Sequence, residues 1–295
     1  MIRLGVIGLS EGNGHPYSWS AICNGYDPEA MARCPFPVIP KYLAERTFPD
    51  DQLPDVQVSH IWTEDPAVSR DVAAAARITH VVERLDDLVG QVDGVLLARD
   101  DAERHVEMAV PLLQAGLPVY VDKPVALSQT DLEALYAATQ YEGQLFSCSA
   151  LRYSPSIRLD EASRARIGDV RHVEGVVPKY WRTYAVHLVD PLLASLGLYG
   201  APCEVRACRG DVHVAHLRFP SATATLTCTG GLPGELKLRY YGERGYVDRP
   251  FTDTFVSFRT ALAMFVDGVQ RGVAHTTREE LTSVVRILEG GLRAE

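Results

Sequence analysis

The chain has 295 residues, 46% of them hydrophobic and 23% charged, a composition that suits one large or two ordinary soluble domains. A formal charge of -9 and a pI near 5.5 argue against nucleic acid or an anionic membrane as the main partner, because neither polyanion is attracted to such a surface. Six cysteines without a C-x-x-C pair, a start that runs straight into IRLGVIG, and apolar stretches no longer than a strand lead us to expect a reduced, cytoplasmic protein with no membrane span.

In chain order, the first strand IRLGVI is followed by Gly8, Gly12 and Gly14. A dinucleotide fingerprint reads G-x-G-x-x-G between strand and helix; counted from Gly8, its second and third glycines fall on Ser10 and Asn13, so the strict motif fails. Backbone N–H groups from Ser10 to Gly14 can still cradle a pyrophosphate where the helix SWSAICNG begins, with the Ser10 hydroxyl added. The plainer alternative is a turn forced by packing, with His15, Tyr17 and Trp19 as a wall. Residues 27–55, rich in proline, exceed the roughly 2 to 6 residues of an ordinary connection and read as an insertion. The strands VQVSHIW, THVV, GVLLA, PVYV and QLFSCSA then alternate with helical patterns. One of these opens on Asp65 and Pro66 and another ends at Gly116. This alternation predicts an α/β, Rossmann-like domain over 1–149, built on a parallel sheet.

From residue 150 to 295 the pattern changes to short alternating strands, DVRHVEGVV, CEVRACRG, VHVAHLRFP, ATATLTCTG and ELKLRYYG, which predict an α+β domain with a large mixed or antiparallel sheet. The closing helix carries a capping box at Thr277 and Glu280, an apolar stripe, and Gly290 as its expected stop. Helices are scarce between these strands, so one sheet face, expected to be apolar, is left uncovered and a homodimer or homotetramer is expected. Cys203, Cys208, His213 and His216 spell C-x4-C-x4-H-x2-H. On strands, however, residues three or five apart face opposite sides, and no metal site is expected.

The VIG turn, the unit GVLLARDDAERHVEMAVPLLQAGLPVYVDKPVA, and the segments SALRYSP, IGDVRHVEG and YAVHLVDPLLASLG occur in the order and spacing of the glucose-fructose oxidoreductase and inositol dehydrogenase family, which the chain resembles from end to end. The resemblance implies an NAD- or NADP-dependent oxidoreductase acting on a hydroxyl or carbonyl carbon of a sugar, cyclitol or related polyhydroxylated small molecule. Hydride transfer at such a carbon also moves a proton at oxygen, so a cation and a proton-transfer group are both wanted.

VDKP looks like the family's E-K-P with Asp122 for glutamate; it implies Lys123 as the cation that polarises substrate oxygen, with Asp122 and Lys123 both near the cofactor. TYAVHLVDP resembles D-x-G-x-H-x-x-D, matching at His187 and Asp190, with Thr183 and Ala185 at the other positions. His187 is then the implied proton donor and acceptor. Thr183 lacks the charge that supports it in relatives, which leaves Tyr184 and Tyr180 as alternative acids. Arg152, Tyr153, Thr183 and Asp190 are implied on the substrate side. After the second strand, Thr63 takes the place of the ribose-binding acid with Glu64 and Asp65 just beyond; a carboxylate there accepts from a ribose hydroxyl and repels a 2'-phosphate, which favours NAD over NADP. Asp65 has the rival role of helix cap. Arg99 stands where relatives have Thr-Pro, either to reach phosphate or substrate or to pair with Asp100 or Asp101. A different class, an inactive ligand-binding or regulatory protein on the same scaffold, fits the altered glycine loop and Thr183; the retained Lys123, His187 and Asp190 favour the enzyme.

Overall fold

The computed structural model describes residues 1–293. Six strands, β1 (Ile2–Ile7), β2 (Val56–Trp62), β3 (His80–Val81), β4 (Gly94–Leu97), β5 (Val119–Val121) and β6 (Leu145–Phe146), pair in parallel in the order β3-β2-β1-β4-β5-β6. Near-continuous apolar runs make this possible: β1 buries its last four residues and β4 all four, as strands covered on both faces must. Strand order reverses at β1, so the crevice beyond the carboxyl ends of β1 and β4 is the switch point where open sheets of this kind bind ligands.

The covering helices are α1 (His15–Asn24), α2 (Pro28–Met31), α3 (Val38–Ala44), α4 (Pro66–Ala75), α5 (His105–Gln114) and α6 (Gln129–Ala137). α1 begins three residues before the expected SWSAICNG. Pro16, which needs no donor in a first turn, follows His15, and Asn13 Oδ1 accepts from the His15 N–H at 2.8 Å. The 27–55 insertion supplies α2 and α3, with the Asp27 side chain accepting from the Ala30 N–H at 2.8 Å to cap α2.

In the second sheet, β7 (Val170–Val177), β8 (Glu204–Cys208), β9 (His213–Arg218), β10 (Thr223–Cys228), β11 (Lys237–Gly242) and β12 (Gly245–Pro250) run in the order β12-β11-β7-β10-β9-β8; only β7 and β10 are parallel, so the sheet is mixed. β12 is additional to the strands expected from sequence. The tight hairpin pairing Gly242 with Gly245 holds its GYVDRP in the sheet. The remaining helices are α7 (Glu161–Ile167), α8 (Trp181–Tyr184), α9 (Val186–Leu196), α10 (Thr254–Arg271) and α11 (Arg278–Arg293). Leu188 and Leu192 of α9 and Ile287 and Leu288 of α11 share one core with Leu226, Leu238 and Tyr240 of the sheet.

The opposite face corrects an expectation. It is polar: Glu174, Glu204, Arg206, His216 and Arg218 lie on it, exposed, because period-two alternation sends Val173, Ala215, Leu217 and Leu226 to the core side. His213 and His216 lie on opposite sides of β9, His213 stacked on Trp181 with ring centroids 4.6 Å apart.

α11 opens with the expected capping box, Thr277 N–H to Glu280 Oε2 at 3.0 Å and Glu280 N–H to Thr277 Oγ1 at 3.2 Å. It does not stop at Gly290. A Cβ at Gly291 would lie 2.4 Å from the Trp181 indole and one at Gly290 3.1 Å from Val205, so these glycines serve close packing inside the helix. The chain forms two compact units, Met1–Val125 with Glu133–Ser147 and Phe258–Thr276, and Ala126–Leu132 with Cys148–Ser257 and the chain from Thr277 onward. Sequence alone suggests a single boundary after 149. The return of α10 to the first unit follows from its apolar side, where Phe265 packs 5.7 Å from Tyr120 and 5.8 Å from Phe146. Among the described residues no helix is long and apolar enough to cross a membrane, and no group of His, Cys, Asp and Glu is arranged as metal ligands.

Candidate active site

The loop after β1 is tied to the ends of β4 and β5. Ser10 Oγ donates to Asp100 Oδ1 at 2.7 Å and accepts from the Asp100 N–H at 3.0 Å. Asn13 Nδ2 donates to Asp122 Oδ2 at 2.8 Å, and His15 Nδ1 meets the same oxygen at 2.5 Å. The other Asp122 oxygen accepts from the Lys123 N–H at 2.7 Å, while Lys123 Nζ pairs with Asp100 at 3.2 Å. Burial alone pushes the Asp122 carboxyl up, but the charges of His15 and Lys123 and the bonds from His15 and Asn13 outweigh it and hold the group at about 2. The side chains of Ser10 and Asn13, assigned to the cofactor from sequence, thus rest on Asp100 and Asp122, and the backbone of residues 10–14 is the part of the loop able to meet a phosphate.

The three glycines differ. A Cβ at Gly8 would lie 2.2 Å from the Pro16 ring, and one at Gly14 would lie 2.6 Å from Phe36 and Ile39 of the insertion, so both are packing requirements. Gly12 has φ +77° and open space where its Cβ would be. Beside it opens a cleft of about 480 Å³ whose lining includes Leu9, Ser10, Gly12, Tyr17, Arg33 and Asp71.

Past β2, Thr63 turns inward: its hydroxyl donates to the Asp65 carbonyl at 2.6 Å and meets Ser69 Oγ at 2.8 Å, while Asp65 caps α4 through the Ala67 N–H at 2.8 Å. Glu64 and Asp65 are both exposed, and with Asp65 engaged as the cap, Glu64 is the carboxylate not committed to the helix. Arg104 hydrogen-bonds it and holds it below the usual range, and Arg99 Nη1 lies 3.4 Å from it. Arg99 also grips Asp101 through Nε at 2.9 Å and Nη2 at 2.6 Å. Because β2 and β4 flank β1, the Glu64–Arg99 bridge crosses the carboxyl end of β1. Arg99 is only 3% exposed, yet its Nη1 has no hydrogen-bond partner among the described residues. That buried donor and the open backbone at Gly12 fit the phosphates of a dinucleotide at the switch point.

His105 was not legible as part of this edge. Its fully buried ring reaches the Arg99 carbonyl through Nε2 at 2.9 Å and the Val125 carbonyl through Nδ1 at 3.0 Å, bracing the turn that carries Lys123 against the end of β4. A lone histidine in the first turn of α5 was the only signal.

In the second unit, Asp190 is buried with three donors around it: the Ser149 N–H at 2.8 Å, the Tyr199 hydroxyl at 2.5 Å, and Arg152 Nη1 at 3.8 Å. Burial pushes its carboxyl up, and Arg152, Tyr199 and Ser149 pull against that rise. Arg152 binds Glu280 at 2.9 Å and lies 5.7 Å and 5.2 Å from the ring centroids of Tyr153 and Tyr199; its Nη1 makes no hydrogen bond among the described residues. Burial pushes the Tyr153 phenol up as well.

His187 Nδ1 meets Ser149 Oγ at 2.9 Å, and its ring contacts Tyr184 edge-on at 5.1 Å. Lys179 Nζ donates to Tyr184 Oη at 2.7 Å. Tyr180 is 62% exposed, and Thr183, on α8, directs its hydroxyl 3.5 Å from the Tyr180 carbonyl. Thr183 and His187 therefore lie on separate helices. Pro191 sits inside α9, where it has no N–H to offer the His187 carbonyl, and not in the first turn expected of a proline. The structure thus gathers Lys179, Tyr184, His187, Ser149, Asp190, Arg152 and Tyr199, of which Lys179, Ser149 and Tyr199 were not singled out by sequence.

Residues 40–149 match the model of a family described as an oxidoreductase family with an NAD-binding Rossmann fold. A stretch of 69 residues is 35% identical to a provisionally named UDP-kanosamine synthase oxidoreductase subunit of Amycolatopsis mediterranei (strain S699); it spans 23% of this chain and only 19% of that relative. Among solved structures, myo-inositol 2-dehydrogenase from Lactobacillus plantarum has a TM-score of 0.71 at 15% identity, covering 99% of this chain and 98% of that one. UDP-N-acetylglucosamine 3-dehydrogenase from Acidithiobacillus ferrooxidans has a TM-score of 0.68 at 17% identity, with 99% and 96% covered. GenD2 from gentamicin A biosynthesis, solved in complex with NAD, has a TM-score of 0.72 at 19% identity, with 99% and 93% covered. At these identities the likeness is one of fold.

Proposed function

We propose that this chain, whose Rossmann segment belongs to the NAD-binding oxidoreductase family, oxidises or reduces a hydroxyl or carbonyl carbon of a sugar, cyclitol or related polyhydroxylated small molecule. The observation that carries this reading is Lys123: its ammonium is buried at the carboxyl end of β5, beside the switch point, and is held by Asp100 at 3.2 Å. NAD, when bound, accepts or supplies the hydride. The backbone of residues 10–14 and the first turn of α1 then face its pyrophosphate, and Arg99 Nη1 donates to a phosphate oxygen. Glu64 accepts from a ribose hydroxyl and disfavours a 2'-phosphate.

Lys123 orients and polarises the substrate oxygen, with Asp100 keeping the ammonium in place. Proton transfer falls to the Tyr184 and His187 cluster, and Arg152 and Asp190 hold substrate hydroxyls. A cytoplasmic homo-oligomer is part of the same reading. The packing roles of Gly8 and Gly14 and the neutral Thr183 favour a second reading, a ligand-binding protein that has lost hydride transfer.

Nicotinamide fluorescence titrations with NADH and NADPH, followed by assays at 340 nm with UDP-glucose, UDP-N-acetylglucosamine and myo-inositol, separate the two. Saturable NADH binding with turnover of one of these supports the enzyme. Folded protein that binds neither nucleotide overturns it.

A further inference from the structure

Resting on the oxidoreductase reading above, we propose that the 27–55 insertion and α4 clamp the adenine ring of the dinucleotide, with Tyr17 and Asp71 reading the edge of the base. The cleft of about 480 Å³ beside Gly12 lies within the first compact unit, and its volume falls in the range of roughly 300–1,000 Å³ that holds small organic ligands. Three segments line it. Gly12 belongs to the loop whose backbone faces the pyrophosphate, Pro35 and Phe36 come from the insertion, and Val68, Asp71 and Ala74 come from α4. Because α4 begins just past Glu64, a base attached to a ribose held there meets the first turns of that helix.

Two unused polar groups point to a ligand. Tyr17 is only 4% exposed and lines the cleft, yet its hydroxyl has no hydrogen-bond partner among the described residues, where a buried phenol ordinarily finds one. Burial, with Cys34 and Asp71 beside it, pushes the phenol up to about 12, so it stays a donor. Asp71 lines the same cleft and makes no hydrogen bond or ion pair among the described residues, so its carboxylate is available as an acceptor. The apolar wall between them is fixed. The Phe36 ring lies 6.4 Å from that of Tyr17 and presses on Gly14, where a Cβ would come within 2.6 Å of it.

Apolar walls with one donor and one acceptor suit a planar heterocycle whose faces are apolar and whose edge is polar. Adenine presents an amine that donates to Asp71 and ring nitrogens that accept from the Tyr17 hydroxyl. A purine with a carbonyl in place of that amine turns an acceptor toward the carboxylate and leaves both unpaired, which is the mismatch that polar sites reject most strongly. Free adenine nucleotides carry the same base. The continuity of the cleft with the phosphate-facing loop at Gly12 assigns it to the dinucleotide, and gives the insertion a part in cofactor choice separate from that of Glu64 at the ribose.

Fluorescence titration with NADH and with deamino-NADH, in which hypoxanthine replaces adenine, reads the base directly. The natural protein is expected to bind NADH at least tenfold more tightly than deamino-NADH. Asp71→Asn, whose amide is able to donate to the hypoxanthine carbonyl, should bring the two dissociation constants within threefold, a change of ratio that a folding defect does not produce. Tyr17→Phe keeps the ring packing and should weaken NADH binding about fivefold. Ala74→Trp, at an exposed position of α4, should fill the cleft and weaken it at least tenfold. Equal affinity for the two dinucleotides in the natural protein, or a ratio unchanged in Asp71→Asn, overturns the proposal and leaves the oxidoreductase reading standing. Calorimetry with AMP separates the sources of the base. Protein that binds AMP in a manner sensitive to Asp71→Asn but does not bind NADH overturns the dinucleotide as occupant and leaves a site for a free adenine nucleotide; folded protein that binds neither overturns the clamp and the oxidoreductase reading together.

Discussion

Asp122 meets three donors from two segments, so its charge links the loop after β1 to the turn after β5. A carboxyl held at about 2, against an ordinary 3.8, contributes stability that is present above the ordinary value and is lost as pH falls toward 2. Asp122→Asn should therefore be less stable by roughly 2 kcal/mol at neutral pH, with the gap closing between about pH 4 and pH 2. Urea unfolding of both proteins across that range checks it; a gap that does not depend on pH would assign the loss to packing. Arg99 gives the second prediction at this scale. A charge-assisted bond from its buried Nη1 to a phosphate is worth about 1.5–3 kcal/mol, so Arg99→Leu should weaken NADH binding tenfold or more in a fluorescence titration. Unchanged affinity would remove Arg99 from the cofactor site.

Secondary-structure elements differ in how far their own residues determine them. The strands β1, β2 and β4 were legible to within a residue because a parallel strand buried on both faces must be a short apolar run. The first residue of α1, the strand β12 and the end of α11 were not, because each depends on something distant in sequence: Asp122 for Asn13, β11 for GYVDRP, and Trp181 for Gly291. The site divides in the same way. Lys123, His187 and Asp190 stood in recognisable motifs, whereas Ser149 meets Asp190 across 41 residues and His105 acts through two backbone carbonyls that leave no mark on the sequence. Gly291 tests the claim about α11. A methyl group 2.4 Å from the Trp181 indole must displace a buried ring, so Gly291→Ala should destabilise by about 1–3 kcal/mol despite the better helix propensity of alanine. Gly290→Ala, at 3.1 Å from Val205, should cost less. Thermal unfolding of the two variants ranks them; the reverse order would return Gly290 to the role of helix stop.

For the whole molecule, the open face of the second sheet bears most directly on association. An apolar face would associate by removing hydrocarbon from water and would hold its partner at high salt. The face present here sets Glu174, Glu204 and Asp248 against Arg206, Arg218 and Arg239. Within it lies a hollow of about 320 Å³ lined in part by His172, Arg206, His216 and Arg218. A second copy meeting such a mixed-sign surface is held by ion pairs and hydrogen bonds. Salt weakens the ion pairs as the screening length falls from about 10 Å at 0.1 M to about 3 Å at 1 M. We therefore expect a dimer or tetramer at micromolar concentration in 50 mM salt that shifts toward monomer in 1 M salt, read by sedimentation velocity. Reversing Arg206 and Arg218 together to glutamate should produce the same shift at low salt, because both would then repel the acidic residues they are expected to meet. A monomer at low salt would contradict the expected homo-oligomer. An assembly indifferent to both salt and charge reversal would place the contact on another surface.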